Sequence, residues 1–430
     1  MPRFEPFPGL RYDTARVALD DVLAPPYDVV GPAEREALAA RSPYNAVHVE
    51  LPEPEDGLDR YQAARRRLDG WLASGVIVPD PEPAFYVYKM GFRDDDGAPR
   101  QTAGVIGALG LAPPGDGGVL PHERTMSRPR GDRLDLMRAA RANLSPIWGL
   151  STNSGLSALC DVGGPPLARG TDDDGVHHRV WRVTEPGLVA AISDTVAAVP
   201  VLLADGHHRY ETALAWQEEV RSATGGRPGD HDLVMAWIVE LAADQVSVGP
   251  IHRILSGLPA GFDPVAALSA RFVLTDAGPL GGDVSQRMAA AGTFAVVAGG
   301  RVWFGPSEPW RGDAGDRWSG GGRGDGEAGG EAPAREAGGE AAAGLPDAAV
   351  LDEVTATWPA HSTEYTHVAP DVVAKVEKGE ADVGLLLRAA TVRQIAATAR
   401  SGRRLPPKAT FFRPKPRTGV VFRRLSDPVG

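Results

Sequence analysis

A mixed α/β fold is predicted, on three stretches of the sequence. Val199-Pro200-Val201-Leu202-Leu203-Ala204 is a short apolar run that follows an Ala-rich stretch and ends at Asp205-Gly206, the pattern of a buried strand. From Tyr210 onward Ala213, Trp216 and Val220 recur at helical spacing, so residues 205–209 lie on a strand-to-helix turn. Phe85 to Arg93 and Gln101 to Leu109 read as strands flanking the turn-forming Asp94-Asp95-Asp96-Gly97, a hairpin.

The remaining elements follow in order. Asp132 is placed as a helix N-cap, with Leu134, Met137 and Ala140 along one face. Asn143 to Leu150 leaves that helix through Pro146 as extended chain, and Val234 to Leu241 is a second buried strand, ahead of Gly249-Pro250-Ile251-His252-Arg253. Phe294 to Phe304 is strand-like, and Ala348 to Leu425 has helix-like and strand-like stretches of its own. Between them, residues 311–346 hold 12 Gly and almost no large apolar side chain, too little to offset the entropy of ordering, and are expected to be a flexible insertion. The expected division is an N-terminal segment (1–84) packing on a core (85–255), an α/β extension (256–310), the insertion (311–346) and a C-terminal subdomain with a basic tail (347–430).

Composition bounds the function. The 430 residues, 43% hydrophobic and 23% charged, are enough for two or three cores. A net charge of -11 argues against a general polyanion binder, because phosphate backbones reward basic surfaces, so nucleic acid is not an expected partner. From Arg400 to Ser426, however, no residue is acidic and nine are basic, a local field suited to a small phosphorylated ligand. The single cysteine, Cys160, excludes an internal disulfide and a thiolate metal cage, and a reducing compartment is expected. The first residues, Met1 to Pro6, lack a basic and apolar leader, and no apolar run is long enough to span a bilayer, so a cytoplasmic protein without membrane partners is expected.

The densest set of titratable groups is Asp205-Gly206-His207-His208-Arg209. At a helix N-terminus, unpaired backbone N–H groups and the positive dipole end favour phosphate. Gly206 permits close approach of an anion, while His207, His208 and Arg209 can donate to phosphate oxygens and Asp205 can hold magnesium or orient a histidine. The competing reading is a plain turn with histidines capping a helix. His177-His178-Arg179 repeats the triplet without a following helix and is read as an exposed hairpin edge; neither pair has zinc spacing. Glu123, in a polar loop, is a candidate general base. Lys408 and Lys415 lie among prolines and aromatics and are candidate phosphate contacts. There is no Walker loop and no protein-kinase motif set.

Five ordered motifs resemble domain of unknown function family 1015: Ala24-Pro25-Pro26-Tyr27-Asp28-Val29-Val30, Leu120-Pro121-His122-Glu123-Arg124-Thr125, Asp205 to Tyr210, Pro250-Ile251-His252-Arg253, and Pro406 to Phe412. Two of them, Pro121-His122-Glu123 and Asp205 to Arg209, also look like the active-site boxes of free serine kinases built on the partition-protein and sulfiredoxin fold. That resemblance implies a partition-protein-like core, Glu123 as the base that activates a hydroxyl, and 205–209 as the cradle for nucleotide phosphates. It further implies Mg2+ and ATP or ADP as cofactors, with free L-serine the leading substrate. Catalytic roles are expected for Glu123, Asp205 and His207; Tyr27, Asp28, His122, His252 and Arg253 are candidates for the substrate pocket. The rivals are a nucleotide-binding regulator and a phosphate-ester hydrolase; the oligomeric state is open.

Overall fold

The computed structural model describes residues 1–426 apart from 95–96, 114–115, 117, 122–130, 309–343 and 402. The fold is mixed α/β, in two compact units. The described residues of unit 1 fall within Met1–Pro121, Thr125–Ser247 and Pro414–Gly430, and those of unit 2 within Val248–Arg413. The boundaries differ from those read in the sequence, because strand pairing is non-local. Phe422–Arg424 pairs with Gly9–Tyr12 and with Ala142–Asn143, which joins the end of the chain to its beginning in unit 1. His252–Ser256 pairs with Ser362–Thr366 and Val383–Leu386, which ties it to the later residues in unit 2.

Unit 1 is built on a nine-stranded mixed sheet. Its order is Val119–Pro121, Val201–Asp205, Ile147–Ser151, Leu233–Glu240, Pro99–Gly110, Phe85–Arg93, His177–Val183, Ala168–Thr171, with Phe4–Glu5 also paired to Pro99–Gly110. Val201–Asp205 runs parallel to Val119–Pro121 and antiparallel to Ile147–Ser151. Alternate strand residues (Val87, Val105, Ile147, Val201, Leu203, Ala236, Ile238) share one core with Ile192 and Val196 of the helix Pro186–Ala197 and with Tyr210 and Ala213 of the helix His207–Thr224. The opposite parity buries Tyr86, Tyr88, Trp148 and Trp237, with the two indoles 5.0 Å apart. Both faces are covered, which is why Leu233–Glu240 reads as an almost continuous apolar run.

The helix His207–Thr224 follows the predicted spacing: Ala213, Trp216 and Val220 are buried. It ends at Gly225 in the left-handed region (φ 66°), whose N–H donates to the Arg221 carbonyl. The helix at 131–140 starts one residue before the expected cap: Asp132 lies in its first turn and complements the dipole from there. Of the expected insertion, 311–343 lie outside the described residues, while its last residue, Pro346, stands at the N-cap of the helix Asp347–Thr355.

Unit 2 carries a six-stranded antiparallel sheet ordered Thr275–Pro279, Arg301–Phe304, Ala295–Ala298, Val383–Leu386, His252–Ser256, Ser362–Thr366. One face packs on Leu268, Leu351 and Val354, the other on Val284, Val372 and Val376, so helices cover both sides.

Candidate functional site

The site is built where the strand Val201–Asp205 meets the helix His207–Thr224. Gly206 makes the corner at φ 87°, and a Cβ there would stand 3.1 Å from the Arg209 guanidinium, so only glycine turns the chain without strain. Gly206, the N-cap residue, has no side chain with which to cap this helix start. A helix N-terminus carries anion-binding character in its first-turn amides. Asp205, His207 and His208 are half-buried. His208 Nδ1 lies 3.8 Å from Glu211 Oε2, one turn along.

Arg209 turns inward. It is buried, donates from Nη2 to Asp205 Oδ2 at 2.7 Å and from Nη1 to the Pro146 carbonyl. Its guanidinium thus braces the Asp205 turn against the approach to the neighbouring strand. The other Asp205 oxygen, Oδ1, accepts from Lys415 Nζ at 2.6 Å, and Asp28 Oδ2 lies 3.3 Å from the same ammonium. Burial disfavours the Lys415 ammonium, but Asp205 and Asp28 outweigh it and hold its pKa above the ordinary lysine value. Two carboxylates, Asp28 and Asp205, thus face two cations, Lys415 and Arg209, and the cluster is close to neutral.

This charge pattern tests the magnesium expectation. Both Asp205 oxygens are held by cations, the Lys415 ammonium sits between the two carboxylates, and no group of three His, Cys, Asp or Glu among the described residues could hold a metal. The donor set does not fit a resident magnesium ion on Asp205.

The N-terminal motif joins the cluster. The Tyr27 ring lies under the Arg133 guanidinium at 4.4 Å, and burial raises its phenol pKa against the opposing field of Arg209. Ala24 and Thr418 exchange both backbone hydrogen bonds, at 3.1 and 2.9 Å, which fixes the segment that carries Lys415 beside the segment that carries Asp28.

The other sequence candidates fall elsewhere. His122 and Glu123 lie outside the described residues. Lys408 belongs to unit 2, has φ 60°, and its carbonyl accepts from Arg253 Nη1 at 2.8 Å. Arg253 is almost fully buried; Nε and Nη2 clamp Asp352 at 2.9 and 3.0 Å, and the guanidinium covers the Tyr365 ring. His252 Nδ1 accepts from the Leu387 N–H at 3.1 Å, and burial, with Arg253 and His367 nearby, lowers its pKa to about 4. These two side chains are thus engaged within unit 2.

The second histidine triplet is not an exposed edge. His177–Val183 is hydrogen-bonded on both sides, and His178 is fully buried. Its Nε2 lies 2.9 Å from Asp172 Oδ2, so that nitrogen carries the proton and Nδ1 accepts from the Tyr88 hydroxyl at 2.8 Å. Arg417 Nε donates to the same Asp172 oxygen at 2.6 Å. Burial raises the Asp172 pKa, but His178 and Arg417 outweigh it and hold it at about 2.

Sequence reasoning also missed Glu50, Arg133 and Ser145. Glu50 is 3% exposed, accepts from Ser145 Oγ at 3.1 Å, and burial raises its pKa against Arg133 and Arg209. Its signal was a lone carboxylate inside Ala46-Val47-His48-Val49-Glu50-Leu51.

Similar solved structures include three that each match over 69% of the chain. A conserved hypothetical protein from Pyrococcus furiosus is 14% identical, with 87% of it covered and a TM-score of 0.31. A free serine kinase in complex with AMP is 12% identical, with 83% covered and a TM-score of 0.33. SbnI with C-terminal truncation from Staphylococcus aureus is 13% identical, with 79% covered and a TM-score of 0.33. No curated protein matches the sequence significantly. The profile described as "Protein of unknown function (DUF1015)" matches residues 4–309, and the chain belongs to that family.

Proposed function

We propose that the chain is a small-molecule kinase that moves a phosphoryl group from ATP or ADP to an alcohol, with free L-serine the leading acceptor. The observation that carries this reading is the turn at Gly206. It presents a helix start whose N-cap residue is a glycine, beside a lysine that is already paired with carboxylates and can exchange one of them for a phosphate oxygen. The motif resemblance of 121–123 and 205–209 to free serine kinases adds to it. So does the topology: Leu203 and Pro121 are partners on parallel neighbouring strands, and Asp205 to Arg209 follows from one of those strand ends. Ligand sites in α/β sheets form at such carboxyl ends.

In this reading the helix amides, His207 and His208 receive the nucleotide phosphates, and Lys415 leaves Asp205 or Asp28 to follow the charge. Glu123 takes the proton of the acceptor hydroxyl. Phosphoryl transfer needs positioning and charge stabilisation above all, and these residues supply both. No step is assigned to a protein-held metal.

The test is mass-spectrometric detection of O-phosphoserine after incubating the protein with L-serine and the magnesium salt of ATP, ADP or pyrophosphate, with Glu123→Ala in parallel. Product from the unmutated protein and none from the variant is expected. Equal product from both would remove Glu123 from the mechanism, and release of inorganic phosphate without phosphoserine would favour a hydrolase.

A further inference from the structure

Lys415 and Arg417 lie on one short segment of unit 1, two residues apart, and Arg417 is pinned at both its backbone and its side chain by a closed ring of hydrogen bonds. Its N–H donates to the Tyr88 hydroxyl at 3.4 Å, and that hydroxyl donates to His178 Nδ1 at 2.8 Å. His178 Nε2 donates to Asp172 Oδ2 at 2.9 Å, and the same oxygen accepts from Arg417 Nε at 2.6 Å, which closes the ring. Asp174 Oδ2 accepts from Arg417 Nη2 at 2.6 Å, and the Asp174 and Val176 amides donate to Asp172 Oδ1. Tyr88 and His178 are fully buried, and the Arg417 and Asp172 side chains are 8% and 10% exposed.

None of these groups has a part in the phosphate turn described above. Burial disfavours the Arg417 guanidinium charge, and Asp172 and Asp174 outweigh it, so the ring holds a side chain that would be costly to bury unpaired. What the ring fixes is the path of the chain. On one side of Arg417, Thr418 exchanges backbone hydrogen bonds with Ala24. On the other, Pro416, with its fixed φ, leads to Lys415, whose ammonium Asp205 and Asp28 share. A lysine stem is flexible, so a fixed backbone beneath it decides which carboxylates its ammonium reaches. We infer that Arg417, held by Tyr88, His178 and Asp172, is a positioning residue that sets the Lys415 ammonium at the phosphate turn. The part played by that ammonium rests on the kinase reading; its placement does not. Sites of this kind tolerate only about 0.5 Å of error, and a shift of about 1 Å costs on the order of a hundredfold in rate.

The test labels the lysines of the full chain with limiting acetic anhydride near neutral pH and reads each site by mass spectrometry. Wild type, Arg417→Met and Tyr88→Phe are compared, with circular dichroism as the fold control. Lys89 is the internal reference: it follows Tyr88 in the same strand of unit 1 and reports any general loosening there. In Arg417→Met, labelling of Lys415 should rise about threefold or more while that of Lys89 stays level, since a change of one pKa unit alone alters the free amine about tenfold. Tyr88→Phe removes one hydroxyl and leaves the clamp on Asp172, so a smaller rise in the same direction is expected; it decides the matter if Arg417→Met does not fold. In the phosphoserine assay, the KM for the nucleotide should rise about tenfold in Arg417→Met with the KM for serine unchanged. Lys415 labelling that stays level, or rises only in step with Lys89, would overturn the positioning role and leave the ring a purely structural feature. An unchanged nucleotide KM in a variant whose Lys415 is released would overturn it equally. Absence of phosphoserine from the unmutated protein would refute the kinase reading, and the labelling would still decide whether Arg417 places Lys415.

Discussion

Replacing Lys415 with methionine removes an ammonium and keeps most of the apolar stem, so it isolates the charge at the turn. Lys415 Nζ lies 2.6 Å from Asp205 Oδ1 and 3.3 Å from Asp28 Oδ2. The lysine and Asp205 side chains are 14% and 15% exposed, and Asp28 is 29% exposed. A charge-assisted hydrogen bond contributes about 1.5–3 kcal/mol, and breaking a fully buried pair costs about 3–5 kcal/mol. Asp205 keeps Arg209 after the substitution, which places the expected loss at about 2–3 kcal/mol. A double-mutant cycle of Lys415→Met with Asp205→Asn, read by urea unfolding near neutral pH, should return a coupling of about 1–2 kcal/mol. The sign with pH follows from the raised folded-state pKa. The lysine's contribution is complete below its unfolded pKa of about 10.4 and is lost only as pH rises beyond that through the folded value. The stability gap between wild type and Lys415→Met should therefore stay level from neutral pH upward and close only in strong alkali. A coupling below about 0.5 kcal/mol, the range of exposed ion pairs, would refute the pairing as a structural feature of the turn.

Gly206→Ala forces a side chain into φ 87° and against the Arg209 guanidinium, and should lower stability by about 1–2 kcal/mol, visible as a drop in Tm; an unchanged Tm would mean the corner adopts another conformation. Asp172, held at about 2 and 10% exposed at its side chain, contributes stability that is present above the ordinary carboxylate pKa and lost as pH falls from about 4 towards 2. Arg417→Met should remove part of it and flatten the acid limb of the stability curve between those values. His252, lowered to about 4, stays neutral well below the usual histidine range, so its stabilising contribution is complete above about 6.5 and falls away towards pH 4. An NMR titration of its ring with a midpoint near 6.5 would contradict the buried, accepting Nδ1.

The elements with strong local signals were legible. Tyr210, Ala213, Trp216 and Val220 recur at helical spacing and are buried, and the strands Phe85–Arg93 and Pro99–Gly110 pair from Tyr86↔Ile106 to Arg93↔Pro99. The strand-to-helix corner at Gly206 was legible for the same reason, since an apolar run, a glycine and a periodic segment are adjacent in sequence. The role of Arg209 was not. Position at a helix start suggests an outward donor, and nothing local announces that Pro146, on another strand's approach, offers a carbonyl on the inner side. The reading of His177 to Arg179 failed on a similar point: the triplet is polar, but Asp172, Tyr88 and Arg417 supply a buried polar network that makes an interior histidine tolerable.

Lys408 and Lys415 show where local pattern stops deciding. Both are single lysines beside prolines in one basic run, and the sequence treats them alike. The fold separates them at residue 413, because Phe422–Arg424 pairs with the first strands of the chain while Phe411–Arg413 pairs with Ser247–Gly249. Pairing at a distance of hundreds of residues leaves no mark on the neighbouring composition. It also explains why Tyr27-Asp28, Asp205 to Arg209 and Lys415 form one set: the backbone bridge between Ala24 and Thr418 holds the first and last, and Lys415 is the cation that Asp28 and Asp205 share. The motifs at 250–253 and 406–412 form the other set, bonded to each other through Arg253 and the Lys408 carbonyl. A substitution that cuts the first set should therefore disturb the proposed phosphate binding at the turn, whereas Arg253→Met, which takes the guanidinium clamp from Asp352, should cost about 3–5 kcal/mol in unit 2, read by urea unfolding.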